Sequence, residues 1–360
     1  MEKKQKKKYI QIIILGIVFT LIAISMIFTS PISRGIKSIL YSADVRVNKS
    51  DMVVHFIDVG QGDAIALTFP NEKIMMIDTG PKASQNNLVK YIKQDVMNSN
   101  NNQVIDYLIL THPDADHSGG LSAVFSEFEV SNFYRPNIAS LSENTGGFAM
   151  RSDTIEYDEA IKLAKNHKDL NINLININYN FYIGDVEVNI FAPLKNYETT
   201  NEMSAVVKVD YLGKSFLFTG DIQGDSEKDM LDKYADELKA DVLKVAHHGS
   251  DNATDYRFIQ AVKPKYAVIC AGSNIHGHPS LNTIIALENI GAKVLTTNSQ
   301  SIRIVCGNDM FGVLTNKTVN SYEFIDWWII ALMLDIVIAI IVTNIVIKLI
   351  KDKKKDDFLK

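Results

Sequence analysis

Four short segments of the chain carry aspartate or histidine directly after an apolar stretch with the composition of a β-strand. The segments are IDTG with Asp78, THPDADH at residues 111–117, FTGD with Asp221, and AHHGS with the downstream HGHP. The ends of rigid strands hold ligand side chains with the accuracy that a metal site requires. The chain is therefore expected to fold into strands whose ends carry a metal site.

The segment THPDADH is the most informative of the four. It crowds His112, Asp114, Asp116 and His117 into one turn, where they would pack poorly in a core and would be unusual on a solvent-exposed face. An aspartate before glycine, taken alone, is an ordinary turn residue. Imidazole and carboxylate ligands suit Zn²⁺ or Mn²⁺, and the placement of the two cysteines excludes a thiolate site. We predict that this turn binds metal.

The segments around these clusters alternate between strand and helix patterns. Strand-like runs such as VVHFIDV and DAIALTF precede an amphipathic helical pattern in NNLVKYIKQDVMN. The second half of the sequence again contains strand patterns with helix patterns between them. Strand clusters with intervening helices in two similar halves indicate an α/β fold, a layered sheet sandwich with helices outside. Cys270 and Cys306 lie in strand-like runs, which favours buried thiols and leaves a disulfide as the alternative.

Both ends of the chain carry an apolar stretch beside a lysine-rich tail. The predicted division is a basic tail at residues 1–8, an apolar stretch at 9–30, a linker at 31–51, a domain at 52–315, a second apolar stretch at 327–347 and a basic tail at 348–360. Both apolar stretches have the length of a membrane-spanning helix. The positive-inside rule then predicts a two-pass protein of the cell membrane with cytoplasmic tails and an extracellular domain.

Two features weigh against this topology. A cleavable signal peptide is the alternative for the first apolar stretch. Asp335 is an expensive residue at membrane depth in the second stretch, and it is a candidate contact for a partner helix in the membrane.

Charge is distributed unevenly along the chain. The net charge is −5, while residues 1–8 carry about +4 and residues 348–360 about +3, which leaves about −12 for the rest. An acidic domain weakens the case for tight, general nucleic-acid binding, because such binding depends on lysine and arginine neutralising phosphates. A local basic groove or a metal-mediated contact remains compatible with this charge.

Six motifs in order resemble a known family: DVGQGDAI, IDTG, THPDADHSGG, FTGD, DVLKVAHHGS and GHP. They resemble the metallo-β-lactamase superfamily and, more narrowly, the extracellular hydrolase domain of ComEC competence proteins. The resemblance covers about residues 52–306 and implies an αββα sandwich that binds two divalent metal ions. It does not extend to the ends, since ComEC proteins carry a multi-helix channel domain and this chain has two candidate spans.

The resemblance implies roles for the residues of the turn. The usual superfamily motif is His-x-His-x-Asp-His, and Asp114 replaces its second histidine here, as in ComEC-like domains. His112 and Asp114 would bind one ion, and Asp116 and His117 would bind the other. A carboxylate in the first site favours Mn²⁺ relative to an all-histidine site. Asp116 would thereby hold the ion that activates water.

The resemblance also implies roles elsewhere. Asp221 would bridge the two ions, His278 of GHP would complete the second site, and Asp78 would steady a ligand histidine. His247 or His248 would bind phosphate oxygens or act as general acid, and the sequence does not separate the two.

One ligand of the family pattern is missing. A histidine often precedes the bridging aspartate, but none lies between His167 and His247. Asn201 and Ser204 are the candidates for its place.

The motifs predict a class of function and leave the substrate open. The favoured reading is a membrane-anchored, surface-facing metallohydrolase, a phosphodiesterase or nuclease that acts on DNA, including single-stranded DNA, in competence. The alternatives are a hydrolase of another envelope phosphodiester or of a small ester or lactam, and a non-catalytic binding module. The acidic charge and the missing histidine favour the alternatives, while the retained aspartates and histidines favour chemistry.

Overall fold

The computed structural model describes residues 47–97, 104–308 and 311–313. Both apolar stretches, at 9–30 and 327–347, lie outside these residues together with the basic tails, so the predicted spans concern a part of the chain that is not described. Within the described ranges, no helix is both long enough and apolar enough to cross a membrane.

The first sheet consists of strands rich in β-branched and aromatic residues. Numbered in chain order, its strands are β1 (Met52–Phe56), β2 (Ala64–Thr68), β3 (Ile74–Thr79), β4 (Val104–Ile109), β5 (Glu129–Pro136), β8 (Asn171–Ile175), β16 (Ile302–Cys306) and β17 (Phe311–Val313). Their spatial order is β17-β16-β1-β2-β3-β4-β5-β8. The first strand, β1, pairs antiparallel with both β2 and β16, and Met52 lies opposite Cys306.

The second sheet contains the strands of the second half of the sequence. They are β9 (Tyr179–Ile183), β10 (Val186–Phe191), β11 (Val206–Tyr211), β12 (Lys214–Phe218), β13 (Val242–Lys244), β14 (Tyr266–Ile269) and β15 (Lys293–Thr296). Their order is β15-β14-β13-β12-β11-β10-β9, with parallel pairing from β12 to β15. A short parallel pair, β6 (Ile138–Ala139) and β7 (Met150–Arg151), forms a separate ribbon.

The helices alternate with the strands along the described residues. They are α1 (Gln85–Tyr91), α2 (Ala115–Ser118), α3 (Leu121–Glu127), α4 (Ile155–Asn166), α5 (Gly224–Tyr234), α6 (Tyr256–Val262) and α7 (Leu281–Asn289), with 3-10 turns at Lys82–Ser84 and Ala246–Gly249 and a π turn at Ile92–Val96. The hydroxyl of Ser280 accepts the Thr283 N–H at 3.1 Å and caps the start of α7.

Three apolar clusters define the layers. The largest lies between the two sheets, where the rings of Phe56 and Phe218 pack with their centroids 6.0 Å apart. A second cluster joins the first sheet to helices of the first half, and it includes Leu88 and Tyr157. A third joins the second sheet to α5, α6 and α7. The described residues thus form the predicted α/β sandwich of two sheets with helices outside.

Parallel pairing positions the polar clusters. Strands β3 and β4 pair in parallel within the first sheet, and β12 and β13 pair in parallel within the second. The carboxyl ends of parallel neighbours lie at the same edge of a sheet, so the segments that follow them come together. Each of these four strands is followed by, or ends in, one of the His/Asp segments.

Both cysteines are buried and free. Cys270 follows β14 and Cys306 ends β16, and neither forms a disulfide. The preference for buried thiols is confirmed.

Candidate metal centre

His117 lies in α2, in the turn after β4, and its orientation is fixed by hydrogen bonds. Its Nδ1 lies 2.8 Å from Oδ2 of Asp78, and Asp78 also accepts the backbone N–H of Thr111 at 2.8 Å and the Thr111 hydroxyl at 2.7 Å. An ionised carboxylate only accepts hydrogen bonds, so Nδ1 of His117 is the donor. Nε2 is therefore the nitrogen left free for a metal ion, and this atom lies 3.3 Å from Oδ2 of Asp221.

His112 is oriented through the same hydrogen-bond chain. The Thr111 hydroxyl donates its hydrogen to Asp78, so it can only accept from His112, whose Nδ1 lies 3.1 Å away. Nε2 of His112 is then the unprotonated nitrogen. This atom is buried and has no hydrogen-bond partner. A buried lone pair without a donor is costly, which indicates that the site is built to receive another group there.

His248 follows the same rule from the second sheet. Its Nδ1 donates to the carbonyl of Cys270 at 2.7 Å, which leaves Nε2 as the nitrogen free for a metal ion. Nε2 lies 3.1 Å from Oδ2 of Asp116 and 3.3 Å from Oδ2 of Asp221. Three imidazoles from two segments thus direct Nε2 toward one carboxylate.

Two groups of buried side chains bring ligand atoms within 4.8 Å of one another among the described residues: His112 with His117 and Asp221, and Asp63 with His117 and His248. In the second group, Asp63 faces Nδ1 of His117 at 3.8 Å and Nδ1 of His248 at 3.4 Å. Both Nδ1 atoms already carry the hydrogens that they donate elsewhere. Asp63 therefore supports the histidines from behind, and the metal-binding side is the one that faces Asp221.

The charges of this cluster favour cations. Burial alone would raise the pKa of Asp221, but His248, His117 and Lys244 hold it well below its usual value. Burial alone would lower the pKa of His117 and of His248, but the surrounding carboxylates, Asp221 first, raise both well above the usual value. Without a metal, protons on these imidazoles compensate the carboxylates, and divalent ions can take their place.

The two partly exposed aspartates of the turn, Asp114 and Asp116, lie beside this cluster. Oδ2 of Asp114 lies 3.8 Å from Nε2 of His112, and about a third of the Asp114 side chain is exposed. Asp116 is oriented by its contact with His248 and by its backbone, because its carbonyl accepts the Asp63 N–H at 3.1 Å. A Cβ at Gly62 would lie 2.3 Å from that carbonyl, so only glycine fits beside the turn.

The two histidines of HHGS have different environments. His247 donates from Nδ1 to Gln223 Oε1 at 2.7 Å, and its Nε2 lies 3.4 Å from Nδ2 of Asn201 and 4.0 Å from Oδ2 of Asp221. Its side chain is partly exposed, whereas His248 is buried. Both residues have left-handed backbone angles, φ 48° and 53°. Such angles cost on the order of 1–3 kcal/mol per residue outside glycine and persist where the surroundings enforce them.

His278 stands outside both groups of ligand atoms in the described part of the chain. Its ring centroid lies 5.4 Å from that of His247 and 5.7 Å from that of His276, so it extends the histidines toward the surface. Of the two candidates for the missing histidine, Ser204 accepts the Asp221 N–H at 3.1 Å, and Asn201 contacts His247.

Sequence reasoning missed Asp63 and Lys244. Both are buried at the centre, and Lys244 Nζ forms a close ion pair with Asp63 and lies 3.3 Å from Oδ1 of Asp221. The sequence did offer a signal for Lys244, which is a charged residue inside the apolar run DVLKVA. A charge buried in such a run needs a partner of opposite charge.

The geometry agrees with a comparison of sequences. A profile described as the Metallo-beta-lactamase superfamily matches residues 57–273. The chain belongs to this superfamily. Metallo-β-lactamase proteins are typically metal-dependent hydrolases, and the buried histidines and aspartates fit divalent metals, which this fold often binds in pairs.

Two relatives of this metallo-β-lactamase chain match most of its length. ComE operon protein 3 of Bacillus subtilis is 28% identical over 263 residues, which cover 69% of this chain and 32% of the relative. Competence protein ComA of Neisseria gonorrhoeae is 27% identical over 254 residues, which cover 70% of this chain and 32% of the relative. The chain thus spans about a third of the length of these relatives, and the predicted resemblance to competence proteins is confirmed.

Among solved structures, the metallo-beta-lactamase fold protein YhfI of Bacillus subtilis is similar to the chain. It is 11% identical, the TM-score is 0.43, and the match covers 71% of this chain and 99% of that protein.

Proposed function

We propose that the chain is a metal-dependent phosphodiesterase that cleaves DNA at the cell surface. The observation that carries this proposal is the direction of the imidazoles of His112, His117 and His248, which all turn Nε2 toward Asp221 while Nδ1 is held by another group. That arrangement suits metal-assisted hydrolysis. DNA is proposed as the substrate because one of the relatives is named as a competence protein.

The proposed ligands form two sets that share Asp221. The first contains His112 and Asp114, and the second contains Asp116, His117 and His248. The second set replaces His278 of the sequence prediction with His248, because Nε2 of His248 lies 3.1 Å from Asp116 and 3.3 Å from Asp221. Zn²⁺ and Mn²⁺ both suit these ligands, and the carboxylate in the first set favours Mn²⁺.

When bound, divalent ions lower the pKa of water and stabilise negative charge that develops on a phosphate oxygen. The protein supplies the remaining steps. His247 lies at the rim and outside both ligand sets, so it is the proposed proton donor to the leaving group. Burial lowers the pKa of its imidazole. An anionic phosphate beside Nε2 would favour the protonated form and prepare it to donate.

The second candidate is a hydrolase of another envelope phosphodiester or of a small ester or lactam. It is favoured by the missing histidine, because Asn201, which is near its expected place, contacts His247 and leaves the first ligand set with few members. A non-catalytic binding module is the third candidate.

We expect the full-length chain in detergent, loaded with Mn²⁺ or Zn²⁺, to hydrolyse single-stranded DNA and bis-p-nitrophenyl phosphate but not a β-lactam. Chelation should stop the reaction, and added metal should restore it, because the ligands hold water-activating ions. Hydrolysis is measured by gel and by absorbance. A metal-loaded protein that cleaves only the lactam or an ester would support the second candidate, and one that cleaves nothing would support a binding module.

We also propose that residues 9–30 and 327–347 span the membrane and place the catalytic domain outside the cell, with Asp335 as the contact for a partner helix. Lysines beside both apolar stretches support this orientation. Protease added to intact cells should cleave the domain and spare epitope tags on both tails. Protection of the entire chain would overturn the orientation.

A further inference from the structure

Lys244 is a fully buried cation at the end of β13, beside a centre suited to binding cations. Its Nζ donates to the carbonyl of Gly220 at 2.8 Å, pairs closely with Asp63, and lies 3.3 Å from Oδ1 of Asp221. A positive charge in this place would repel divalent ions if it were not neutralised. Its position therefore requires an explanation other than metal binding.

Asp63 provides the neutralising charge and is itself held rigidly. Its N–H donates to the carbonyl of Asp116 at 3.1 Å, and its carbonyl accepts the N–H of Gly80 at 2.7 Å. The carboxylate is buried and lies behind His248, on the side away from Asp221. Lys244 is thus fixed between two carboxylates, of which one belongs to the proposed metal ligands and the other does not.

The two oxygens of Asp221 consequently have different surroundings. Oδ1 faces the ammonium group of Lys244, and Oδ2 faces Nε2 of His117 and of His248, each at 3.3 Å. Rotation of the carboxylate to present both oxygens to metal would separate Oδ1 from the lysine and leave a buried charge with fewer partners.

We propose that Asp63 is a positioning residue that neutralises Lys244, so that the ammonium group can hold Oδ1 of Asp221 without repelling metal ions on the Oδ2 side. This inference rests on the proposed metal centre, and it assigns the Asp63–Lys244 pair to metal affinity rather than to the stability of the fold.

The charges of Asp63 and Lys244 have opposite effects on metal binding. The inference can therefore be tested by whether a second substitution raises or lowers Mn²⁺ affinity. Asp63→Asn leaves the lysine uncompensated and should weaken Mn²⁺ binding by about 100-fold, at the upper end for residues that support metal ligands. Asp63→Asn combined with Lys244→Met removes the repelling cation as well. The double variant should bind Mn²⁺ at least about tenfold more tightly than Asp63→Asn alone, since ion-pair removal is often tolerated when both partners are replaced.

The measurement is Mn²⁺ titration calorimetry on the full-length chain in detergent, with thermal unfolding of the metal-free variants as a check of folding. Asp63→Asn with Lys244→Gln is a second double variant that retains a hydrogen-bond donor toward Gly220. The matched control is the ion pair between Lys73 and Asp106, 2.6 Å apart and outside the site, where Asp106→Asn should leave Mn²⁺ affinity unchanged.

Each result decides between the explanations. Tighter binding by either folded double variant than by Asp63→Asn supports the neutralising role of Asp63, because a pair that only stabilised the fold would give further loss. Equal or weaker binding by the folded double variants overturns this inference and leaves the proposed function intact. A parent protein that binds neither Mn²⁺ nor, in a parallel titration, Zn²⁺ overturns both.

Discussion

Asp221→Asn is expected to remove metal from both ligand sets and to lower phosphodiester hydrolysis by at least about 10³-fold, equivalent to about 4 kcal/mol of transition-state stabilisation. Oδ2 of Asp221 lies 3.3 Å from Nε2 of both His117 and His248 and within 4.8 Å of the ligand nitrogen of His112. Loss of its charge therefore affects every proposed ligand at once. Metal content is measured by elemental analysis and hydrolysis with bis-p-nitrophenyl phosphate.

A second aspartate provides the control for this variant. Asp210 lies on β11 in the same sheet and accepts a hydrogen bond from Ser215, away from the centre. Asp210→Asn should retain metal and activity. Unchanged metal content in Asp221→Asn would contradict the assignment of Asp221 as the shared ligand.

The neighbouring histidines are expected to respond differently to the same substitution. His248→Ala should lose metal from the second set and with it nearly all activity, because Nε2 of His248 contacts Asp116 and Asp221. His247→Ala should keep its metal and slow hydrolysis by about 10²–10⁴-fold, the range typical of a lost general acid. Elemental analysis combined with steady-state kinetics distinguishes a ligand from a proton donor.

The opposite result for His247 and His248 would contradict the assigned roles. Loss of metal in His247→Ala together with full occupancy in His248→Ala would exchange the two roles. His167→Ala, a substitution at the end of α4 and outside the centre, should change neither metal content nor rate.

The sequence predicted that the His/Asp segments follow strands and meet at strand ends, because the pattern of apolar strands followed by polar residues is local. Asp78, the THPDADH turn, Asp221 and the HHGS segment all lie at one edge of the sandwich, as strand ends should. The layered α/β architecture followed from the same alternation of strands and helices. These features depend on neighbours in sequence, which a reader of the chain can see.

The individual roles depended on tertiary contacts that the sequence does not display. His247 and His248 are chemically identical neighbours, and left-handed backbone angles at both decide which one is buried against Asp221. His278 fits the family motif, yet its ring lies beside His247 and outside the groups of ligand atoms in the residues described. The ion pair between Asp63 and Lys244 joins the two sheets, and a local sequence pattern does not predict such a contact.

The position of β1 also sets an order of assembly. Its antiparallel neighbour β16 is among the last strands of the domain, so during synthesis β1 has β2 as its sole neighbour until residues 302–306 have emerged. Contacts between distant parts of a chain form slowly, and an unpaired strand edge invites pairing with other chains. A nascent chain that ends before residue 302 therefore exposes one edge of β1 even though Asp63, Asp221 and His248 have all been made. Completion of the first sheet is thus a late event in the biogenesis of this protein, and premature termination there should yield an aggregation-prone product.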